Sequence, residues 1–96
     1  MNEQELYSQK YQAQLDEWKA EIAKLKAQVS GAKADVQIEL KKDVDKLERA
    51  IADSQAKLSK LALASEDAVS AIKKDVDTAW DSIKLDLNNI ALRFKD

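Results

Sequence analysis

The chain has no cysteine, no histidine, no proline and a single glycine in 96 residues. Without cysteine there is no disulfide, no thiolate nucleophile and no redox switch, so sulfur chemistry does not reveal the compartment. Without histidine as well, the groups left for acid–base work are carboxylates, lysines, tyrosines and serines scattered along polar faces, where nothing points to the burial that tunes a pKa. Long apolar runs are also missing. The longest, Leu61-Ala62-Leu63-Ala64, falls far short of the roughly 20 residues needed to span a bilayer. The opening MNEQELYSQK is polar and acidic, unlike a secretory leader, so a soluble, cytoplasmic protein is expected. No excess of positive charge exists either: 16 basic residues are interspersed with 18 acidic ones for a net charge of −2. Nucleic-acid binding, which draws its affinity from a basic stripe, is not expected.

What remains is the vocabulary of long helices. Charged residues make up 35% and hydrophobic residues 45%, with alanine supplying about a third of the latter. We expect an all-α fold built as a single helical coiled-coil domain over residues 1–96. A chain this short buries a smaller fraction of its surface than a larger domain does, so its stability margin should be thin without a partner.

The periodicity has two registers. Tyr11, Leu15, Trp18, Ile22, Leu25 and Val29 are spaced 4-3-4-3-4 and form one narrow stripe on a helix, as in a coiled-coil seam. From Leu47 the interval changes: Leu47, Leu58, Val69, Trp80 and Ala91 lie eleven apart, as do Leu61, Ile72, Ile83 and Phe94, with Val76 and Leu87 in a third column. Eleven residues in three turns favour nearly straight or slightly right-handed packing. The seam residues expected to carry interactions are Leu15, Trp18, Ile22, Leu25, Leu47, Leu58, Val69, Ile72, Trp80, Ile83, Leu87 and Phe94.

Helix ends leave weaker marks. Asn2 with Glu5 has the form of a capping box, and Arg93 and Lys95 suit the negative end of a helix dipole. Internal breaks are expected near 30–31, where Gly31 costs up to about 1 kcal/mol relative to Ala, and near 64–66, where Ser65 precedes Glu66 and Asp67 as an N-cap would. Because Ala32 and Ser65 continue the stripe, continuity at one or both places is favoured. The expected arrangement is therefore an antiparallel helical hairpin, with a three-helix bundle or an extended multichain coiled coil as alternatives.

The pentapeptide KKDVD occurs twice, at 41–45 and 73–77. Paired aspartates invite a cation, but residues two apart on a helix point about 200° apart, and no glycine-bearing loop follows to wrap an ion. The preferred reading places Val44 and Val76 in the seam with their charged neighbours flanking it. On a straight helix the 32-residue offset would present both copies on the same edge. Asp45 with Arg49, Asp53 with Lys57, and Lys73 with Asp77 are four apart, each worth about 0.2–0.5 kcal/mol as exposed helical pairs. No catalytic, cofactor-binding or metal-ligating residue is identified, so the chain is not expected to be an enzyme.

Two interaction readings follow. In the first, the apolar stripe associates with itself or with a partner helix. In the second, the C-terminal helix lies on a lipid surface through Trp80, Ile83, Leu87, Ile90 and Phe94. Seven acids against five bases over 65–96 offer no net attraction to anionic lipid, which places the membrane second.

Read together, AQLDEW at 13–18, LALASEDAV at 61–69 and TAW at 78–80 resemble a group of small bacterial coiled-coil proteins, many uncharacterised and some described as stress-response proteins. Val69 stands where a second Trp is expected in an ASEDAW-like motif. The resemblance implies a bacterial, soluble helical protein with a link to stress. It carries no catalytic residue.

Overall fold

A computed structural model describes residues 3–93 as three helices, α1 (Glu3–Ser30), α2 (Ala34–Leu63) and α3 (Glu66–Arg93). The all-α expectation holds. Of the arrangements left open by the sequence, the hairpin is not the one formed: the chain reverses at both candidate places and makes a three-helix bundle with long-axis extent 50 Å. Helices of 28, 30 and 28 residues are each about 42–45 Å long at 1.5 Å per residue, so all three run the length of the molecule. Cross-helix partners fix the direction. Gln12 meets Gln55 and Lys26 meets Glu48 between α1 and α2, Arg93 meets Asp43 between α3 and α2, and Tyr7 meets Asp77 between α1 and α3. Thus α2 is antiparallel to both neighbours, and α1 runs parallel to α3.

The continuous stripe had favoured an unbroken helix because each seam residue keeps its phase across 31–33 and 64–65. A bundle requires the same phase, since every helix must turn its apolar face inward on both sides of a tight turn. The stripe therefore reports which face is buried and is silent on whether the chain reverses. At the first turn Gly31 N–H and Ala32 N–H donate to the carbonyls of Gln28 (3.2 Å) and Val29 (3.0 Å), tightening the last turn of α1 before Lys33 takes an extended conformation, φ −62° and ψ 149°. At the second turn Ala64 is also extended, φ −75° and ψ 149°. The Ala64 N–H donates to the Leu61 carbonyl at 3.2 Å, and the side-chain amide of Gln4 on α1 donates to the Leu61 and Ala64 carbonyls at this end of α2. Glu66 and Asp67 then occupy the first turn of α3, where the helix dipole favours negative charge.

The core lies along the bundle axis. α1 contributes Leu15, Trp18, Ile22, Leu25 and Val29, α2 contributes Leu40, Val44, Leu47, Ile51, Leu58 and Leu61, and α3 contributes Val76, Trp80, Ile83 and Ile90. Ser54 is the one buried polar side chain among the described residues. The two KKDVD copies sit on different helices, α2 and α3, so they do not share one edge of a straight rod. Val44 and Val76 are both buried in the common core. Among the described residues no helix is long and apolar enough to cross a membrane. The capping pair's Asn2, together with Phe94 and Lys95, lies outside the described residues.

Candidate interaction groove

α2 packs closely along both neighbours, whereas α1 and α3 meet chiefly through long aromatic side chains. Both tryptophans and both tyrosines join in one column. Tyr7 and Tyr11, one turn apart on α1, have ring centroids 4.4 Å apart. Tyr11 meets Trp80 edge-to-face at 4.7 Å and 80°, and Trp80 meets Trp18 at 5.5 Å and 44°. Both geometries suit the quadrupoles of aromatic rings. The Trp80 indole N–H is buried without an acceptor, so this ring is held by packing and not by its polar handle.

At one end of the column a polar clasp ties α1 to α3. Tyr7 and Tyr11 both donate to the same oxygen of Asp77, Oδ1, at 2.7 and 2.8 Å, and Lys73 Nζ sits 4.8 Å from the Tyr7 ring centroid, within cation–π range. Burial first, and then the bond to Asp77, raises both phenols above their ordinary value of 10.0. The same two hydrogen bonds lower the Asp77 carboxyl below 3.8. At neutral pH the cluster is therefore fixed as two protonated donors on one ionised acceptor. A catalytic base or acid works best with its pKa near the working pH, and these shifts move every member away from it.

Beyond the clasp the α1 and α3 surfaces separate into a groove of about 690 Å³. Gln14, Glu17, Trp18 and Glu21 line the α1 side, and Asp81, Lys84, Leu85, Leu87, Asn88 and Ala91 line the α3 side. Its apolar part is Trp18, Leu87 and Ala91, with Leu85, 60% exposed and about 200° round the helix from Leu87, at the outer rim. Three carboxylates and one ammonium edge the apolar strip.

The expected seam residues fall into two sets. Leu15, Trp18, Ile22, Leu25, Leu47, Leu58, Trp80 and Ile83 are buried, and Val69, Ile72 and Leu87 are half-buried against the same core. Phe94 lies outside the described residues. The seam is thus spent inside one chain, and of its members only Trp18 and Leu87 also line the groove. Four of the five residues named as lipid anchors, Trp80, Ile83, Leu87 and Ile90, pack in or against the core. Among the described residues none of the expected i,i+4 charge pairs closes into an ion pair, although the Lys73 charge still helps to lower the Asp77 carboxyl. Arg49 Nε donates to the Asp45 backbone carbonyl at 3.5 Å, Asp77 is taken by the tyrosines, and the ion pairs Lys26–Glu48 and Arg93–Asp43 join different helices. The aspartates of each KKDVD have separate surroundings, Asp43 paired to Arg93 and Asp45 exposed, Asp77 in the clasp and Asp75 exposed. No group of three or more potential metal ligands occurs among the described residues.

Compared with protein-family models, curated proteins and solved structures, the chain matches none of them.

Proposed function

We propose that this chain is a non-enzymatic helical interaction or scaffold protein whose contact surface is the α1/α3 groove. The groove carries the reading. It leaves Leu85 and part of Leu87 uncovered beside a tryptophan, on the one side of the bundle where two helices are not in close backbone contact. An apolar strip edged by charge between two helices is the form in which an amphipathic helix is received. The seam that first suggested association is already covered within the chain, so binding through it would require the bundle to open. The same burial weighs against lipid contact through Trp80, Ile83 and Ile90. The resemblance of AQLDEW, LALASEDAV and TAW to small bacterial coiled-coil proteins adds a stress-linked, cytoplasmic setting to this proposal.

The test is a crosslinked pull-down from stressed cells using the wild-type chain and Leu85→Gln, with oligomeric state measured by sedimentation. Leu85 is exposed, so the variant retains the fold. A partner held by the wild type and lost from Leu85→Gln supports the reading, and equal recovery by both proteins overturns the groove as the contact surface.

A further inference from the structure

The charge around the groove identifies the occupant more narrowly than its apolar strip does. Glu17 and Glu21 on α1 and Asp81 on α3 line the groove with Lys84, and Lys10 borders Asp81 in the adjoining hollow, so the carboxylates outnumber the ammonium groups and Glu17 and Glu21 have no cation within the lining on their own side. All five are exposed, and neither of the ion pairs Lys26–Glu48 and Arg93–Asp43 engages any of them. Glu17 accepts a 3.3 Å hydrogen bond from Gln14 on its own helix, which leaves its charge uncompensated. We infer that the groove receives a basic amphipathic helix from another protein, with two to three turns of apolar side chains on Trp18, Leu87 and Ala91, with Leu85 at the rim, and with Lys or Arg reaching the carboxylates on both edges. This rests on the interaction reading above and adds the partner's chemistry to it.

Charge complementarity decides among the possible occupants. A second copy docked groove to groove would set the same three carboxylates against each other, and like charges brought together across an interface oppose association. An anionic lipid surface meets the same repulsion. A basic helix alone satisfies both the strip and its edges. The lining runs from Gln14 to Glu21 on α1 and from Asp81 to Ala91 on α3, about 10–15 Å at the helical rise, so the partner helix is gripped over a short length. A contact this small belongs to the transient class of interfaces, and the electrostatic edge contributes mostly to encounter rate and orientation.

The test uses two synthetic amphipathic helices with the same leucine spacing, one with lysine on its polar face and one with glutamate, titrated into the full-length protein. Affinity is followed by anisotropy and location by amide chemical shifts. The lysine peptide is expected to shift residues 14–21 and 81–92, to bind tenfold or more weakly to Glu17→Lys/Glu21→Lys and to Leu85→Gln, and to bind Asp53→Lys, altered on exposed α2 surface, as it binds the wild type. Binding should weaken as salt rises. If the glutamate peptide occupies the groove equally well, the basic partner is wrong while the interaction surface stands. If neither peptide shifts the groove, both fail. If Asp53→Lys weakens binding as much as the groove variants, attraction is only to net charge and the inference is overturned. Groove shifts caused by anionic vesicles, or by raising protein concentration without peptide, would assign the site to lipid or to a second copy and overturn it as well.

Discussion

Trp80→Ala tests the packing account most directly, because Trp80 stands where the aromatic column joins α1 to α3. Its side chain is 6% exposed, with Tyr11 against one edge and Trp18 beyond. Truncating a buried Trp costs about 3–5 kcal/mol through lost transfer energy and the cavity left behind. Two features place the expected value at the lower end. Trp80 also borders an open hollow with Trp18, Asp81 and Lys84, so water can enter the space, and its deletion removes a buried N–H without an acceptor, a defect worth about 1–3 kcal/mol while present. The expected loss is therefore about 3 kcal/mol, against a total of about 5–14 kcal/mol for a chain of this length. At about 4–8 °C per kcal/mol for a domain of this size, the melting temperature should fall by about 12–24 °C. Circular dichroism melts and urea titrations with an unchanged m-value would measure it. A fall below about 4 °C, corresponding to less than about 1 kcal/mol, would refute the claim that this ring wedges the two helices. Trp80→Phe, which keeps a ring and discards the orphaned donor, should cost less than half as much. In a Trp18→Phe background Trp80 should emit as buried indole in buffer and change little with vesicles. A strong vesicle-dependent shift would mean that the bundle opens on lipid and would move the membrane reading ahead of the interaction reading.

Three further outcomes follow from named contacts. The clasp should make stability depend on pH at both ends. Because the folded Asp77 carboxyl lies below 3.8, its contribution is complete above that value and is lost as pH falls through the lower folded value; because the folded phenols lie above 10.0, theirs is complete below 10 and is lost as pH rises beyond it. Asp77→Asn should cost about 0.5–1 kcal/mol near neutrality, kept small by the solvent exposure of the carboxylate, and that difference from wild type should shrink in acid. A pH-independent difference would remove the charge from the explanation. Gly31→Ala should stabilise by about 0.4–1 kcal/mol by restricting the unfolded chain, since Gly31 does not have positive φ and an added Cβ would meet only the Gln28 carbonyl oxygen at 3.7 Å; a lower melting temperature would show that the turn needs glycine. Finally, a core built within one chain predicts a melting temperature constant over two decades of protein concentration, and a steady rise would show that association stabilises the fold.

The apolar period carried most of the fold. Leu15, Ile22, Leu25, Leu58 and Ile83 were legible as inward-facing because helical phase is a local property, set by the spacing of neighbours on one helix. Direction reversal was not legible from the stripe, and Ala32 and Ser65 misled because the residue after a turn must recover the same inward face as the residue before it. The better clue at 31 was backbone chemistry: one glycine in an alanine-rich chain costs helix more than the stripe gains by passing through it. The clasp lay further from sight. Tyr7 and Tyr11 are one turn apart and visible as a pair, but Asp77 follows about 70 residues later and reads locally as the partner of Lys73. Only the parallel pairing of α1 with α3 brings it to the phenols.

Side-chain size connects that pairing to the groove. The distance between packed helices follows the bulk of the residues between them. On the α2 sides of the bundle, aliphatic residues and the small Ala50, Ser54 and Ala79 allow close approach, while between α1 and α3 the spacers are Tyr11, Trp18 and Trp80. The rings fill the gap where they stack. Past them the next α3 residues at the interface are Lys84, Leu87, Asn88 and Ala91, too short or too polar to close a space held open by indoles, and the groove begins there. The aromatic column that joins α1 to α3 therefore also leaves the half-buried Leu87 and Ala91 open to the groove on one side. Stability and the proposed binding surface share one cause, and closing the groove with smaller spacers would sacrifice the contacts that hold α3 in place.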